Sequence, residues 1–339
     1  MAEHLVIPGL LLSGRGAGVS VCLPRCACGG TESRQDLSCY EFTTANKEIA
    51  MRVLKKMALA TLVAGCTLNA THLLATPTAD RQIALQMYTL RNVGTLEQQF
   101  SLAQSAGFSA VELVGDQGAS RDELSRLLQK YNLTVTSAHV QLDALRRQLP
   151  ETIAFNRAVG NKVLIVPYLQ PAERPSDARG WQKLGDELNA LGARLRKEGM
   201  RLAYHNHDFE MKKYQGKTGL EWLVDATRPK NLALEIDAAW VSRGGQDPVR
   251  LIKRYPDRLF ALHAKDNAGI GVRDDERNFA PLGEGLLAWG EIVAQAQEEA
   301  RPLYIVEHDL PKDPAAVIRV SKLNLQRELL RESRERKLE

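Results

Sequence analysis

The sequence predicts an α/β protein, a closed (β/α)8 barrel (TIM barrel) formed as a single domain by residues 82–326. Short apolar strands alternate with amphipathic helices in eight successive units over roughly 250 residues, the length typical of such barrels. Polar, ligand-type side chains recur where several of these strands end. A doubly wound open sheet is the alternative, but the turn after the first strand, residues 89–94, holds one glycine and no GxGxxG.

The first half of the barrel contains four strand–helix units. The helices follow an apolar period near 3.6, and Gly107, Gly160 and Gly199 suit their C-terminal ends. Ser120 caps the second helix, and Pro150 predicts a break in the third. The predicted strands cover 83–90, 110–115, 134–140 and 162–168, and the predicted helices cover 95–106, 120–130, 142–159 and 176–198.

The second half repeats the pattern. A strand begins at Arg201 and leads into a polar end at 205–210, and later strands cover 232–238, 259–265 and 303–307. Helices are predicted at 219–226, 247–255 and 289–299, with a longer loop at 266–285 before the last of these. The final helix starts at Asp313 and Pro314, because proline is favoured at the first helical position. Its charged C-terminal end is predicted at 327–339.

The N-terminal 81 residues differ from the rest of the chain. Residues 1–50 have no sustained helical or strand period, and we interpret them as a non-native or disordered extension. At Met51 a basic start with Arg52, Lys55 and Lys56 precedes the apolar run 57–64, the pattern of a signal peptide. This run is too short for a comfortable membrane span. We predict a signal peptide at 51–66 and a tether at 67–81.

The cysteines support an exported protein with a cysteine-free barrel. All five lie before residue 67, so the barrel has neither a disulfide nor a thiol nucleophile, and Cys26 and Cys28 lack the spacing of a zinc finger. Small residues precede Cys66, as in a lipobox, which predicts a periplasmic protein anchored by a lipid at Cys66. Ordinary cleavage between Cys66 and Ala79 is the alternative.

The charge argues against a nucleic-acid partner. The formal net charge is +4 over 339 residues, and part of this excess lies in the first 66 residues. A basic groove is therefore not expected. The predicted partner is a small-molecule sugar or glycoside, with the lipid anchor as the only membrane contact.

The candidate site lies at the C-terminal ends of the strands, where barrels of this type bind and react. Because side chains alternate along a strand, the polar side chains near the strand ends can be assigned to one inward-facing set. Burying it without compensation would cost several kcal/mol per unpaired charge, so we expect one divalent metal, Mn, Co, Zn, Mg or Fe. The set is Gln86, Tyr88, Glu112, His139, His205, His207, Glu235, Asp237, His263, Lys265, Glu307 and Asp309.

From about residue 82 to residue 325 the chain resembles the sugar phosphate isomerase/epimerase family, the xylose-isomerase-like TIM barrels. The resemblance implies one divalent metal held by four ligands from strands five to eight. By motif position these are His205, Asp237, His263 and Glu307. The matching stretches are 86–91, 110–113, 203–209, 235–237, 262–266, 281–285 and 305–308.

One position departs from the family pattern. The ketose epimerases of this family have Glu at the strand-five position, where this chain has His205. The symmetric use of two glutamates is therefore in doubt, and Glu307 remains as one base. The second acid or base is expected among His139, Glu112, Lys265 and His207. Substrate contacts are expected from Gln86, Tyr88, His207 and Glu235.

The function predicted from these residues is a metal-dependent sugar isomerase or epimerase. The reaction would begin with proton abstraction next to a carbonyl and pass through an enediolate. The same scaffold also suits a lyase or hydrolase acting on keto-glycosides by β-elimination. A sugar-binding barrel without catalysis is the third alternative.

Overall fold

The computed structural model describes residues 82–338 and the backbone of four short strands nearer the N-terminus. Eight parallel strands close into a barrel, each paired with its sequence neighbours and the last paired with the first. The predicted (β/α)8 fold is therefore confirmed. The strands are β1 Ile83–Gln86, β2 Ala110–Val114, β3 Thr134–His139, β4 Val163–Val166, β5 Arg201–His205, β6 Ala233–Asp237, β7 Leu259–Ala264 and β8 Leu303–Val306.

Helices surround the barrel in the predicted order. Short 3-10 helices lie at Met87–Leu90, Pro171–Glu173, Phe209–Met211 and Asp274–Glu276. The α-helices are α1 Leu96–Ser105, α2 Arg121–Lys130, α3 Leu142–Arg147, α4 Leu149–Ala158, α5 Ala178–Lys197, α6 Gly219–Asp225, α7 Ala238–Arg243, α8 Pro248–Arg254, α9 Trp289–Glu299 and α10 Pro314–Glu335.

Side-chain caps fix where several helices begin. The Thr95 hydroxyl accepts the Gln98 backbone N–H, and the Gln98 side chain accepts the Thr95 N–H, a complete capping box. Ser120 caps α2 as predicted, through the backbone N–H of Glu123. Each cap satisfies helix N–H groups that have no partner within the helix and contributes about 1 kcal/mol to the stability of the folded protein.

The barrel interior is filled by small side chains at one level and polar side chains at another. Ala84, Ala110, Ala261 and Ile305 form one buried apolar cluster inside the strands. The main core lies outside the barrel, between strands and helices, and includes Trp181, fully buried on α5. The small interior residues leave the C-terminal ends of the strands to the polar set.

Several local features differ from the predictions. The expected helix 142–159 is two helices, α3 and α4, separated at Gln148 rather than Pro150. An additional helix, α7, starts directly after β6 with Asp237 as its N-cap. Two-stranded ribbons lie at 213–218 and 266–280, within stretches predicted as loops. No helix of the described part of the chain is long and apolar enough to cross a bilayer.

A four-stranded antiparallel sheet forms in the N-terminal region, where no regular period was expected. Its strands cover Val6–Ile7, Leu10–Ser13, Val19–Pro24 and Leu37–Phe42. They have two to six residues each, too short to give a sustained period. The assignment of residues 1–50 as an extension stays a prediction. The predicted signal peptide and tether, 51–81, lie outside the described residues.

A layered polar site at the C-terminal end of the barrel

The predicted polar set comes together at the C-terminal ends of the strands, around a cavity of about 1000 Å³. Seven of the twelve side chains line the cavity and five lie beneath it, fully buried. The lining residues are Tyr88, His139, His205, His207, Lys265, Glu307 and Asp309. The residues beneath are Gln86, Glu112, Glu235, Asp237 and His263, each 0% exposed.

Two carboxylates and three imidazoles form the lower layer. Glu235 Oε1 lies 2.8 Å from His139 Nε2, 3.1 Å from His205 Nδ1 and 2.9 Å from His263 Nε2. Glu112 Oε1 lies 3.0 Å from His139 Nε2 and 2.9 Å from His263 Nε2. The three imidazole rings pack with centroids 4.4–5.4 Å apart. The lower layer is thus a compact network in which the carboxylates face ring nitrogens.

Strand register brings these two glutamates under the histidines. The β2–β3 pairing shifts register between Val111 and Glu112, and the β6–β7 pairing shifts between Leu234 and Glu235. Such bulges bend a strand locally and re-aim its side chains. Further hydrogen bonds to Glu112 come from the Ser137 hydroxyl at 2.5 Å and the Gln86 amide at 2.7 Å.

The upper layer carries a buried lysine among three carboxylates. Lys265 Nζ lies 2.9 Å from Asp237 Oδ2, 2.8 Å from Glu307 Oε2 and 2.6 Å from Asp309 Oδ1. The second oxygen of Asp237, Oδ1, accepts the Trp240 backbone N–H at 2.9 Å and caps α7. This cap fixes the carboxylate so that Oδ2 faces the site.

Two imidazoles separate the layers and present one nitrogen to each. His205 Nδ1 faces Glu235, whereas its Nε2 lies 4.0 Å from Asp237 Oδ2. His263 Nε2 faces Glu235, whereas its Nδ1 lies 3.0 Å from Glu307 Oε2 and 3.9 Å from Asp237 Oδ2.

This arrangement fits a divalent cation. The ligand-type atoms of Asp237, His263 and Glu307 lie within 4.8 Å of one another, and so do those of a second set, His139, His205, Glu235 and His263. Tetrahedral ligands 2.0–2.1 Å from an ion are about 3.3 Å apart, close to the separations observed. Metal-binding histidines also typically donate their other ring N–H to a carboxylate, as the lower layer allows. The residues present therefore suit a metal such as zinc.

Charge and burial fix the protonation states of Lys265 and Glu307 in the upper layer. Burial alone would lower the pKa of the Lys265 ammonium, but Asp237, Asp309 and Glu307 outweigh it and raise that pKa above its ordinary value. Burial alone would raise the pKa of Glu307, but Lys265 and His263 hold it well below the usual range. At neutral pH the pair is thus an ammonium beside a carboxylate.

The two neighbouring histidines of β5 and its following loop are neutral bases. Burial, reinforced by the charge of neighbouring cationic groups, holds the pKa of both His205 and His207 well below the ordinary value. Burial and the nearby Glu112 raise the pKa of Glu235. Neutral imidazoles retain the lone pair that metal binding or proton acceptance requires.

Aromatic side chains form a wall of the cavity beside the polar residues of its floor. His207 packs edge-on against Tyr168 at 4.9 Å, is stacked on Phe209 at 5.9 Å and lies 5.1 Å from Trp240. The guanidinium of Arg174 covers Phe209, with its Cζ 3.8 Å from the ring centroid. Such a wall suits the apolar face of a sugar ring. Trp240 and His207 are part of this wall and lie beside the polar floor of the cavity.

Sequence reasoning missed several lining residues. Tyr168 follows β4, whose end carries no titratable side chain, so alternation gave no reason to select it. Arg174 and Arg277 come from segments without strand or helix periodicity, and Arg277 has a left-handed backbone with φ 58°. Phe155 reaches the cavity from α4, where it reads as an ordinary core residue.

Comparisons with known proteins agree with this architecture. A family model described as the xylose isomerase-like TIM barrel matches residues 100–327. Among curated proteins, inosose dehydratase 2 of Bacillus cereus is 24% identical in an alignment of 258 residues that covers 65% of this chain and 84% of that protein.

Solved structures show the same fold. A sugar phosphate isomerase/epimerase from Parabacteroides distasonis matches with a TM-score of 0.61 and 21% identity, covering 72% of this chain and 93% of that one. The IOLI protein with a bound zinc atom matches with a TM-score of 0.60 and 15% identity, covering 74% and 99%.

Proposed function

Because the chain belongs to the xylose isomerase-like TIM barrel family, we propose that it is a metal-dependent lyase that removes water, or another β-leaving group, from a keto-sugar. This is the alternative that the sequence left open beside an isomerase or epimerase. The similarity to an inosose dehydratase favours it, since a dehydratase eliminates water. The substrate we propose is a cyclic polyhydroxy ketone or its glycoside.

We propose that His205 Nε2, Asp237 Oδ2, His263 Nδ1 and Glu307 hold one divalent cation on the cavity side of the two imidazoles. The zinc in the IOLI structure supports a metal of this kind, although the ion used by this chain is open among Zn, Mn, Co, Mg and Fe. When bound, the cation would polarise the substrate carbonyl and stabilise negative charge on its oxygen.

The observation that carries the proposal is the adjacent acid and base on the cavity floor. The Glu307 carboxylate and the Lys265 ammonium are 2.8 Å apart, and both line the cavity. Lys265 Nζ donates to Glu307 Oε2, and His263 Nδ1 lies 3.0 Å from the same oxygen. We therefore assign Oε1 as the atom that takes the proton from the carbon next to the carbonyl.

The elimination balances with these two residues alone. The C–H bond breaks and its proton passes to Glu307, while the electron pair forms a carbon–carbon double bond. The bond to the β-hydroxyl breaks, and the departing oxygen takes a proton from Lys265 and leaves as water. The proton on Glu307 Oε1 then passes to water in the cavity, and Lys265 takes a proton back from water, so that both groups return to their starting states. Because the two groups are neighbours, proton and hydroxyl leave from the same face of the substrate.

The remaining predicted residues are assigned roles that fit their positions. Tyr88 and His207 line the cavity and are proposed to contact substrate. Gln86 and Glu235 were also predicted to bind substrate, but they lie beneath the lining. We propose instead that they support the histidines. Glu112 is likewise assigned a supporting role, while His139 forms part of the floor.

An isomerase or epimerase is the second candidate, supported by the structural likeness to the P. distasonis protein. It would need a group that returns the proton to carbon. His205 stands where ketose epimerases have the second glutamate. The lyase needs no such carboxylate, because Lys265 supplies its acid.

The test is a screen of the zinc-loaded protein against inososes, keto-sugars and 3-keto-glycosides, followed by NMR in D2O. We expect loss of water or of the aglycone, with formation of an unsaturated ketone. Lys265→Met should lose this activity while retaining zinc. Deuterium incorporation without elimination would instead identify an isomerase or epimerase and would contradict the proposal.

We also propose that the protein is exported and lipid-anchored at Cys66. The basic residues at 52–56, the apolar run 57–64 and the small residues before Cys66 support this. Mass spectrometry of the native N-terminus should find a lipid-modified Cys66. A mature product that retains residues 1–50 would contradict it.

A further inference from the structure

Glu235 belongs to the second of the two ligand-type sets and lies beneath the residues that line the cavity. Its side chain is 0% exposed and does not reach the cavity. A catalytic metal needs an open coordination position for substrate, and an ion bound at Glu235 would lie beneath the cavity lining. Yet Glu235 Oε1 contacts His205 and His263 at 3.1 and 2.9 Å.

These contacts set the direction of both imidazoles. An imidazole whose Nδ1–H donates to a carboxylate presents Nε2 as its lone pair, and the reverse holds for Nε2–H. His205 contacts Glu235 through Nδ1 and has Nε2 on the Asp237 side. His263 contacts Glu235 through Nε2 and has Nδ1 on the side of Asp237 and Glu307.

We propose that Glu235 is a positioning residue that fixes the tautomer of His205 and, together with Glu112, that of His263, so that both lone pairs face the cation on the cavity side. One carboxylate oxygen on β6 thereby contacts ligands from the two strands that flank it, β5 and β7. The inference rests on the proposed metal site.

The pairing of β6 with its two neighbouring strands places the Glu235 carboxylate. Glu235 pairs with His205 across β5 and β6, and the register shift between Leu234 and Glu235 falls at this point in the β6–β7 pairing. The next inward residue along β6 is Asp237, which reaches the upper layer. Strand β6 thus supplies the supporting carboxylate and, two residues later, a ligand.

Glu112 provides a matched control. It is as deeply buried as Glu235, follows a similar register shift and contacts His263 Nε2 at 2.9 Å. However, His205 is not among its contacts. Losing Glu112 should therefore affect only His263, whereas losing Glu235 removes the carboxylate at His205 Nδ1 and one of the two carboxylates at His263 Nε2.

The first test is Zn²⁺ affinity, measured by competition with a chromophoric chelator in the absence of substrate. We expect Glu235→Gln to weaken binding by about 10- to 100-fold, the usual effect of removing such a partner, and Glu112→Gln to weaken it less. Unchanged affinity in Glu235→Gln overturns the proposal. Complete loss of zinc would identify Glu235 as a direct ligand and would overturn it too.

The second test uses the wild-type protein and does not depend on how the variants fold. In the zinc-loaded, ¹⁵N-labelled protein, imidazole NMR should find the proton of His205 on Nδ1 and that of His263 on Nε2. The opposite tautomers would refute the role of Glu235. If the wild-type protein binds no zinc at this site, the proposed metal site itself fails, which is a distinct outcome.

Discussion

Replacing Lys265 by Met tests the electrostatics of the site most sharply. The ammonium is 1% exposed and pairs with Asp237, Glu307 and Asp309. Methionine keeps most of the side-chain volume and removes the charge. Three buried carboxylates then lose their shared partner.

The expected loss of folding stability is large in the metal-free protein. Removing one partner of a buried ion pair destabilises a protein by about 3–5 kcal/mol. For a domain of this size, that corresponds to a fall in Tm of about 6–20 °C. The matched control is Lys217→Met, whose ion pair with Asp225 is 2.8 Å long but exposed. An exposed pair contributes about 0–1 kcal/mol, so this control should change Tm little.

Zinc should reverse much of the loss. A cation between Asp237 and Glu307 replaces the missing positive charge, so excess Zn²⁺ should raise the Tm of Lys265→Met more than that of the wild-type protein. The assay is thermal unfolding followed by circular dichroism, with EDTA and then with excess zinc. Equal losses in the Lys265 and Lys217 variants, or a zinc effect no larger in Lys265→Met than in wild type, would refute the reasoning.

Three further predictions concern single residues. Asp237→Asn keeps an oxygen to cap α7 at Trp240 but removes a ligand charge; we expect a folded protein that no longer binds zinc, and full zinc occupancy by elemental analysis would contradict the ligand assignment. Burial raises the pKa of Glu210 from 4.5 to about 8, so its contribution to stability is complete below pH 4.5 and is lost as pH rises through 8. Urea unfolding of Glu210→Gln should be less pH-dependent over that range than wild type, and identical slopes would argue against it. In Gly285→Ala, a Cβ would lie 2.3 Å from Asp266 Oδ1. The two oxygens of this carboxylate accept three backbone N–H groups of the loop; we expect about 1–3 kcal/mol of destabilisation, and an unchanged urea midpoint would count against this contact.

The sequence predicted the barrel and the residues that form the site, because both depend on local periodicity. Alternation along each strand placed His205 and His207 with the other polar strand ends, and all twelve predicted residues gather at one end of the barrel. The start of α2 followed from the Ser120 cap, which the structure uses. These signals lie within a few residues of the elements that they determine.

Which of these side chains line the cavity and which lie beneath it could not be predicted in this way. Gln86 and Tyr88 share one face in the sequence pattern, yet only Tyr88 reaches the cavity, because the chain turns into a 3-10 helix at Met87. The depth of Glu112 and Glu235 depends on register shifts between strands. Periodicity carries no information about pairing between distant strands.

The position of the cation tests the account most directly. Crystals of the zinc-loaded protein, measured at the zinc absorption edge, would locate the ion in an anomalous map. We predict one peak about 2.0–2.3 Å from His205 Nε2, Asp237 Oδ2, His263 Nδ1 and a Glu307 oxygen. A peak in the lower layer, bound by His139, Glu235 and the opposite nitrogens of His205 and His263, would contradict it.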